Sequence, residues 1–167
     1  MGQWSLKERL QPSLLDRLTD LEPHKSVESS AKQSMSQKEF KDAVIRDLGW
    51  LLNSVSLDVV VDLDPYPEVQ RSVLNYGLPD ISGHTSSTID VKFVESSLKQ
   101  AIFDYEPRII RNSLRLKVHA NPDDMSHNSM VFEIEAAVFG QPSPFQVVLR
   151  SELDIEVGEF RVTEDFV

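Results

Sequence analysis

The hydrophobic period changes once along this chain, from helical to extended, and that change limits the folds available to it. From Phe40 onward apolar residues recur every three or four positions, and from Leu114 onward they recur at every second position. The first spacing lines one face of a helix and the second lines one face of a strand. Helices followed by a run of strands predict a single α+β domain, in which two main helices cover one face of an antiparallel sheet of three or more strands.

Two amphipathic helices are predicted in the middle of the chain. Ser36 and Glu39 form a capping-box pattern before the first, since each side chain can bond the backbone amide of the other. The apolar stripe of this helix is Phe40, Val44, Leu48, Leu51, Leu52 and Val55. The second helix starts near Thr88 or Asp90 and ends before Pro107, because proline disfavours helical geometry in the preceding residue. Its stripe is Val91, Val94, Leu98, Ala101, Ile102 and Tyr105. Residues 58–80, between the helices, are predicted to be loop.

Three strands are predicted in the last third. Their apolar residues are, in order, Leu114, Leu116, Val118 and Ala120; Phe132, Ile134, Ala136 and Val138; and Phe145, Val147, Leu149, Leu153, Ile155 and Val157. Opposite charges indicate a register for the first two strands, with Arg115 facing Glu135 and Lys117 facing Glu133. Gly158 is expected to end the third strand.

The third strand, residues 145–157, is expected to lie at or near a sheet edge. It contains neither proline nor lysine, the usual means of blunting an edge. Its outward charges include Arg150, Glu152 and Asp154, and its acidic side chains would oppose self-pairing while accepting a basic strand from another protein. These three residues are therefore predicted to bind a partner.

Charge divides the chain into a flexible N-terminal extension, residues 1–35, and one domain, residues 36–167. The extension carries five basic and five acidic side chains, so the net charge of −10 lies entirely in the domain. Within the extension, residues 14–18 form a short amphipathic segment, and residues 22–35 are polar and are expected to act as a tether.

Composition excludes several classes of protein. No cysteine is present, which excludes disulfides and cysteine-based metal sites. The longest apolar run is four residues, whereas a membrane helix needs about 20, and the first residues form no signal peptide. A cytoplasmic protein without direct membrane insertion is therefore expected. The acidic balance argues against nucleic acid as a partner.

Neither a metal site nor a catalytic site is indicated by residue spacing. The four histidines, His24, His84, His119 and His127, lack the spacing of a shared metal site, and the glycines form no phosphate-binding loop, so no cofactor is expected. A catalytic acid needs a partly apolar pocket, whereas the candidate carboxylates lie in polar connections. They are Asp58, Asp62, Asp64, Asp123 and Asp124. A non-enzymatic protein is expected, and a cell-wall hydrolase is the least favoured alternative.

Glu106-Pro107-Arg108 places opposite charges around a proline where the second helix passes into the sheet. One interpretation is a local Glu106–Arg108 ion pair, which contributes little if it is exposed. The other is a rigid corner that holds a guanidinium for a partner. Spacing alone favours the ion pair. Arg108→Glu is expected to leave the isolated fold near its normal stability, because surface charge changes usually cost less than about 0.5 kcal/mol.

Three segments resemble one family when taken together. They are SLLDRL at residues 13–18, YPEVQRSVLNYGLPD at residues 66–80 and EPRI at residues 106–109. In this order they are similar to the TssE family, the small baseplate subunits of bacterial type VI secretion systems, which are related to the small wedge protein of contractile phage baseplates. The similarity extends over nearly the whole chain, and the middle segment is the most specific.

The resemblance implies a structural subunit with a fold like the handshake domain of the sheath proteins. Such a subunit joins the TssF–TssG wedge to the first ring of the TssB–TssC sheath and helps to start sheath assembly, with TssK and the VgrG hub as further partners. In that family the Glu-Pro-Arg motif contacts the wedge core. The resemblance therefore favours an interface role for Glu106, Pro107 and Arg108, and partner binding by Leu14, Leu15, Asn75 and Tyr76.

Two further implications concern location and the alternative function. The baseplate would dock on the cytoplasmic side of the inner membrane complex. The alternative is a regulatory anti-adaptor of the same fold family, which binds a regulator and blocks proteolysis. Residues 72–80 favour the baseplate family over it.

Overall fold

A computed structural model describes residues 10–20, 23–24, 35–80, 90–120, 129–140 and 143–164. Within these residues the helices are α1 (Leu14–Leu18), α2 (Gln37–Leu52), the single turn α3 (Pro67–Gln70) and α4 (Val91–Tyr105). The strands are β1 (Arg115–Ala120), β2 (Ser129–Val138), β3 (Phe145–Asp154) and β4 (Glu159–Glu164). Most of the predicted tether lies outside the described residues, as do Thr88, His84, His127, Asp123 and Asp124 and the side chain of His119.

Both main helices begin where their sequence predicts, and α4 also ends as predicted, whereas α2 ends earlier. The Ser36 amide donates to Glu39 Oε2 over 2.7 Å and the Glu39 amide donates to Ser36 Oγ over 3.2 Å, which confirms the capping box. Asp90 caps α4 by accepting hydrogen bonds from the amides of Lys92 and Phe93. Val55 does not belong to the α2 stripe, because the helix ends at Leu52 and Val55 is exposed.

The strands form one antiparallel sheet in the order β1-β2-β3-β4. The predicted register is confirmed, with Arg115 opposite Glu135 and Lys117 opposite Glu133. The fourth strand was not predicted. It is short, and it follows a turn in which Gly158 has a φ of 73°, a conformation that glycine adopts most readily.

The predicted edge position of the third strand is wrong. β3 ends at Asp154 and pairs with β2 on one side and β4 on the other, so it is an inner strand. Glu152, for example, lies opposite both Val131 and Arg161. Arg150, Glu152 and Asp154 are exposed on the uncovered face of the sheet, where alternating charge reflects contact with water rather than protection of an edge.

The core lies between the sheet and the two long helices, which confirms a single α+β domain. Helix α2 packs against β4, and α4 packs against β1 and α2. The most deeply buried large side chains are Phe132, Leu48, Leu51, Leu98, Ile102, Met130, Ile134, Leu149, Leu153 and Ile155. This packing leaves the start of α2 and the end of α4 close to the same end of β2.

Residues 53–80, the described part of the connection between α2 and α4, form short turns that are hydrogen-bonded to the residues after α2. The Ser56 amide donates to the Leu78 carbonyl over 2.9 Å, and the Leu78 amide donates to the Ser54 carbonyl over 2.8 Å. Gly77 lies between them with a φ of +134°, and a Cβ atom there would lie 2.4 Å from the Ser54 carbonyl oxygen. Only glycine permits this close approach of two backbone segments.

Candidate functional site

A groove with a volume of about 1120 Å³ opens beside the helix-to-sheet corner, and we call it the corner groove. Its walls come from the N-terminal segment, α2, Tyr76, the corner itself and the residues that follow β2. The lining residues are Leu10, Gln11, Ser13, Leu15, Phe40, Asp47, Leu48, Trp50, Leu51, Tyr76, Tyr105, Glu106, Pro107, Arg108, Phe139 and Gly140.

Backbone hydrogen bonds fix the corner to the end of β2. Helix α4 ends where the Glu106 amide donates to the Ile102 carbonyl over 2.9 Å, and Pro107 follows. The chain then runs beside β2, since the Phe139 amide donates to the Arg108 carbonyl over 2.7 Å and the Ile110 amide donates to the Ala137 carbonyl over 2.9 Å. The corner is therefore rigid, as one of the two interpretations of its sequence requires.

Arg108 is not an exposed cation but the centre of a partly buried ion cluster. Its Nε donates to Glu106 Oε1 over 2.7 Å, and its second terminal nitrogen donates to Asp47 Oδ2 over 2.6 Å and also to Glu106 Oε2. The side chains of Arg108 and Glu106 are 19% and 4% exposed. The assumption that Arg108 is a surface residue is therefore wrong, and the stability expected for Arg108→Glu on that assumption loses its basis.

The charge of Arg108 is secured by its partners. Burial alone lowers the pKa of the guanidinium, but the hydrogen bonds and charges of Glu106 and Asp47 outweigh burial and hold that pKa above its ordinary value. The guanidinium also lies 5.7 Å from the centre of the Phe40 ring, a position that favours a cation. Arg108 thus remains charged and neutralises two carboxylates in the groove wall.

The cluster continues through α2 to the N-terminal helix. Asp47 Oδ1 accepts hydrogen bonds from Arg46 Nε and from a terminal nitrogen of Arg46, at 2.9 and 2.7 Å. Another terminal nitrogen of Arg46 donates to Asp16 Oδ1 over 2.6 Å. Burial raises the pKa of Asp16, but the hydrogen bonds from Arg46 and Ser13 outweigh it and lower that pKa. One chain of ion pairs therefore joins α1, α2 and the corner.

Helix α1 forms one wall of the groove through Leu15. Ser13 caps the helix, and the Met35 amide donates to the Leu10 carbonyl over 2.9 Å, which closes the segment against the start of the domain. Leu15 lines the groove and is 47% exposed, whereas Leu14 points away from the lining and is 72% exposed. Both leucines are accessible to a partner.

Asn75 and Tyr76 have different positions although they are neighbours in sequence. Tyr76 lines the groove and packs edge-to-face on Tyr105, with 5.2 Å between ring centres. Asn75 is buried, and its side chain accepts from the Asp58 amide and donates to the Gln70 carbonyl, both over 3.0 Å. The side chain of Asn75 therefore holds the loop together and does not face a partner.

Half of the predicted partner-binding residues meet in the corner groove. Those in the lining are Leu15, Tyr76, Glu106, Pro107 and Arg108. The other five lie elsewhere: Leu14 on the outer side of α1, Asn75 in the loop interior, and Arg150, Glu152 and Asp154 on the open face of β3.

Asp47 and Phe139 line the groove but were not predicted as site residues from the sequence. Asp47 is 61 positions from Arg108, and Phe139 follows the unrelated strand β2. Glu106 and Arg108 gave a local signal of the cluster at the corner, whereas the adjacent opposite charges of Arg46 and Asp47 on α2 are of a kind common on exposed helix faces.

The described residues contain no group of three histidine, cysteine or acidic side chains placed to hold a metal ion. No described helix is both long and apolar enough to span a membrane. The two carboxylates in the groove lining, Asp47 and Glu106, both accept hydrogen bonds from Arg108, and these bonds stabilise the corner.

A family model described as baseplate wedge protein gp25 matches residues 38–143. This range covers most of the chain and includes α2, α4, the corner and β2. The chain belongs to the gp25 family of baseplate wedge proteins. No curated protein and no solved structure gives a significant match.

Membership of the gp25 family supports a structural role in a baseplate, in contact with other baseplate proteins. The matched range contains the groove residues from Phe40 to Gly140, whereas Leu10 to Leu15 precede it. In this gp25-family chain the groove is thus completed by an N-terminal segment outside the matched range.

Proposed function

We propose that this gp25-family chain is the TssE-type subunit of a type VI secretion baseplate and has no catalytic activity. The observation that carries the proposal is the convergence of three segments at the corner groove. The segments that resemble the TssE family contribute Leu15, Tyr76 and the Glu106-Pro107-Arg108 corner to one surface. A common binding surface requires the three segments to meet, and the two carboxylates of its lining, Asp47 and Glu106, are both bonded to Arg108.

The chemistry of the groove suits a protein partner. Its aromatic wall includes Trp50 and Phe139, which are 50% and 61% exposed. Aromatic side chains at the centre of an interface contribute much of the binding energy, and the arginine beside them is already paired. We assign the groove to the TssF–TssG wedge, with Pro107, Leu15 and Phe139 as apolar contacts. Arg108 would hold the corner in shape and offer only its remaining exposed surface.

The edges of the sheet suggest where the TssB–TssC sheath begins. At β4, the Asn53 side chain donates to the Phe160 carbonyl over 2.9 Å and accepts from the Phe160 amide over 2.8 Å, so the outer backbone groups of Phe160 are occupied. In the described part of the chain, β1 has a neighbouring strand on one side only. We therefore place strand addition by the sheath at β1.

Strand addition at β1 rather than at β3 changes the charge expected of the sheath strand. β1 carries Arg115 and Lys117, so an acidic sheath strand would be accepted better than a basic one. Arg150, Glu152 and Asp154 would then contact neighbouring subunits from the open face of the sheet.

TssK and VgrG would contact the chain within the assembled wedge, on the cytoplasmic side of the membrane. Residues 36–167 would be the wedge domain, and residues 1–35 would be its extension.

Affinity purification of the tagged chain from its own cells, followed by mass spectrometry, tests this function. The proposal predicts that TssF, TssG, TssB and TssC are enriched together. Enrichment of a transcriptional regulator and its proteolytic adaptor, without wedge subunits, would contradict it and support the anti-adaptor alternative.

A further inference from the structure

Exposed apolar side chains are concentrated in one segment outside the corner groove. Seven of the fourteen exposed large hydrophobic residues among the described residues lie between positions 55 and 74. They are Val55, Val59, Val60, Val61, Tyr66, Val73 and Leu74, and we call them the 55–74 surface. None of them lines the corner groove. The turns that carry Val59 and Val73 contact each other, which brings the two ends of the segment together, and exposed apolar residues gathered in space mark an interaction site.

The backbone that carries the 55–74 surface is held rigidly. The turns Leu57–Val59 and Val73–Asn75 pack against each other, and the Asn75 side chain bonds the Asp58 amide over 3.0 Å. The Tyr105 hydroxyl lies 2.8 Å from the Asn75 carbonyl oxygen and 3.1 Å from that of Ser72. Leu63, which lies between the two turns in sequence, is buried.

These contacts use polar groups on the inner side of the loop while valines remain outside. Val60 and Val73 are each 79% exposed. A loop that served only as a connection would gain nothing from presenting them, because apolar surface in water is unfavourable by about 25 cal/mol per Å². A rigid backbone also lowers the entropy that a partner must overcome on binding.

Negative charge accompanies the apolar residues. Asp58, Asp62, Asp64 and Glu68 are exposed in the same segment, where Arg71 is the single basic residue. A second copy of this surface would therefore meet like charges, and an anionic lipid surface would be repelled. A partner with basic residues around an apolar centre is complementary in both respects.

We propose that the 55–74 surface is a further docking site, besides the corner groove and β1, which binds a segment of another protein that carries apolar side chains flanked by Lys or Arg. It rests on the proposed function and extends it, because a wedge subunit with one more separate site can contact one more neighbour. The valines supply the apolar contact, and the four carboxylates select the basic flanks and orient them.

Site-specific photo-crosslinking in the native cells tests the proposal. A photo-reactive residue replaces Val60. A matched control variant carries it in place of Phe93, which is 55% exposed on α4 and lies outside the 55–74 surface and the corner groove. The expected product at position 60 is a crosslink to another protein, in a peptide with apolar residues and at least two Lys or Arg. The control should not give this product.

Charge reversal separates the contribution of the carboxylates. Asp64→Lys together with Glu68→Lys should lower the yield of the crosslink about tenfold, whereas Arg71→Glu should not lower it, provided that melting temperatures are unchanged. The proposal is overturned by a crosslink to a second copy of this chain, by a neutral or acidic target peptide, by a yield insensitive to charge reversal, or by no product above the Phe93 control. The identity of the captured protein tests the baseplate assignment separately from the composition of its peptide.

Discussion

At the scale of single residues, Arg108 matters most because it is the cation shared by carboxylates from two different elements. Asp47 belongs to α2 and Glu106 to the corner, and Glu106 is almost fully buried. Removing one partner of a buried ion pair leaves an uncompensated charge, which is far more costly than the pair is favourable. The shape of the corner groove therefore depends on the Arg108 guanidinium, which is mostly buried.

Replacing Arg108 by methionine should lower the free energy of unfolding by about 2 to 4 kcal/mol. This loss is smaller than that for breaking a fully buried ion pair, because the side chain of Asp47 is 24% exposed. Adding Glu106→Gln should recover part of the loss, since the buried charge is then removed as well. Urea denaturation of both variants measures the difference. A loss below about 0.5 kcal/mol for Arg108→Met would show that the cluster is solvated and unimportant for the fold.

Gly77 is the second decisive residue, because its missing Cβ allows the loop to reach the end of α2. Gly77→Ala should lower the free energy of unfolding by about 2 to 4 kcal/mol, given a positive φ and a backbone atom within 2.4 Å of the new carbon. Gly49→Ala is the matched control, because it lies inside α2 with nothing within 4 Å of a new Cβ. The control should gain about 0.5 to 1 kcal/mol. Equal effects in thermal melting would contradict this account of Gly77.

At the scale of secondary-structure elements, the Asp16–Arg46 ion pair joins α1 itself to α2, whereas the Met35–Leu10 backbone hydrogen bond holds the residues before α1. α1 is five residues long and contains no buried residue, so its own packing cannot hold it in place. Asp16, with its side chain 8% exposed, bonds Arg46 on α2. The docking of α1 therefore depends on an ionised carboxylate.

Docking of α1 should consequently depend on pH. The pKa of Asp16 is lower in the folded protein than in the unfolded chain, so its contribution is fully present above about pH 4 and is lost as pH falls through the lower folded value. Asp16→Asn should release α1 even at pH 7. NMR chemical shifts of Leu14–Leu18 report the helix directly. A helix that stays docked in Asp16→Asn would show that other contacts hold it.

The inner position of β3 gives a second prediction at this scale. Glu152→Pro should unfold the domain, because the proline ring disrupts a strand that is paired on both sides, at a cost of about 3 kcal/mol or more. Glu152→Thr keeps the backbone donor and should change stability by less than about 0.5 kcal/mol. Circular dichroism distinguishes the two. A folded Glu152→Pro protein would place β3 at an edge after all.

Elements defined by local chemistry could be predicted from the sequence, and those defined by distant contacts could not. The capping box at Ser36 and the Arg115–Glu135 register follow from neighbouring or directly opposed residues. β4 was missed because Phe160 and Val162 are the only apolar residues among its six, and without β4 the charges of β3 suggested an edge. The corner motif was recognised, but its burial depends on Asp47, which no spacing connects to Arg108.

At the scale of the whole molecule, the gp25-family domain presents three separate surfaces. No residue is shared by the corner groove, the 55–74 surface and the side of β1 that has no neighbouring strand among the described residues. A subunit that joins a wedge to a sheath needs more than one such surface. We propose that the corner groove is the surface that binds the wedge.

The most direct test is the affinity of the purified chain for a purified TssF–TssG complex, measured by calorimetry. Phe139→Glu places a charge in the groove at a residue that is 61% exposed, and Phe93→Glu does the same at a 55% exposed residue outside it. We predict that Phe139→Glu weakens binding by about 2 kcal/mol, roughly thirtyfold, while Phe93→Glu leaves the dissociation constant unchanged. Equal affinities for Phe139→Glu and the unmodified chain, with both proteins folded, would contradict the assignment of the groove to the wedge.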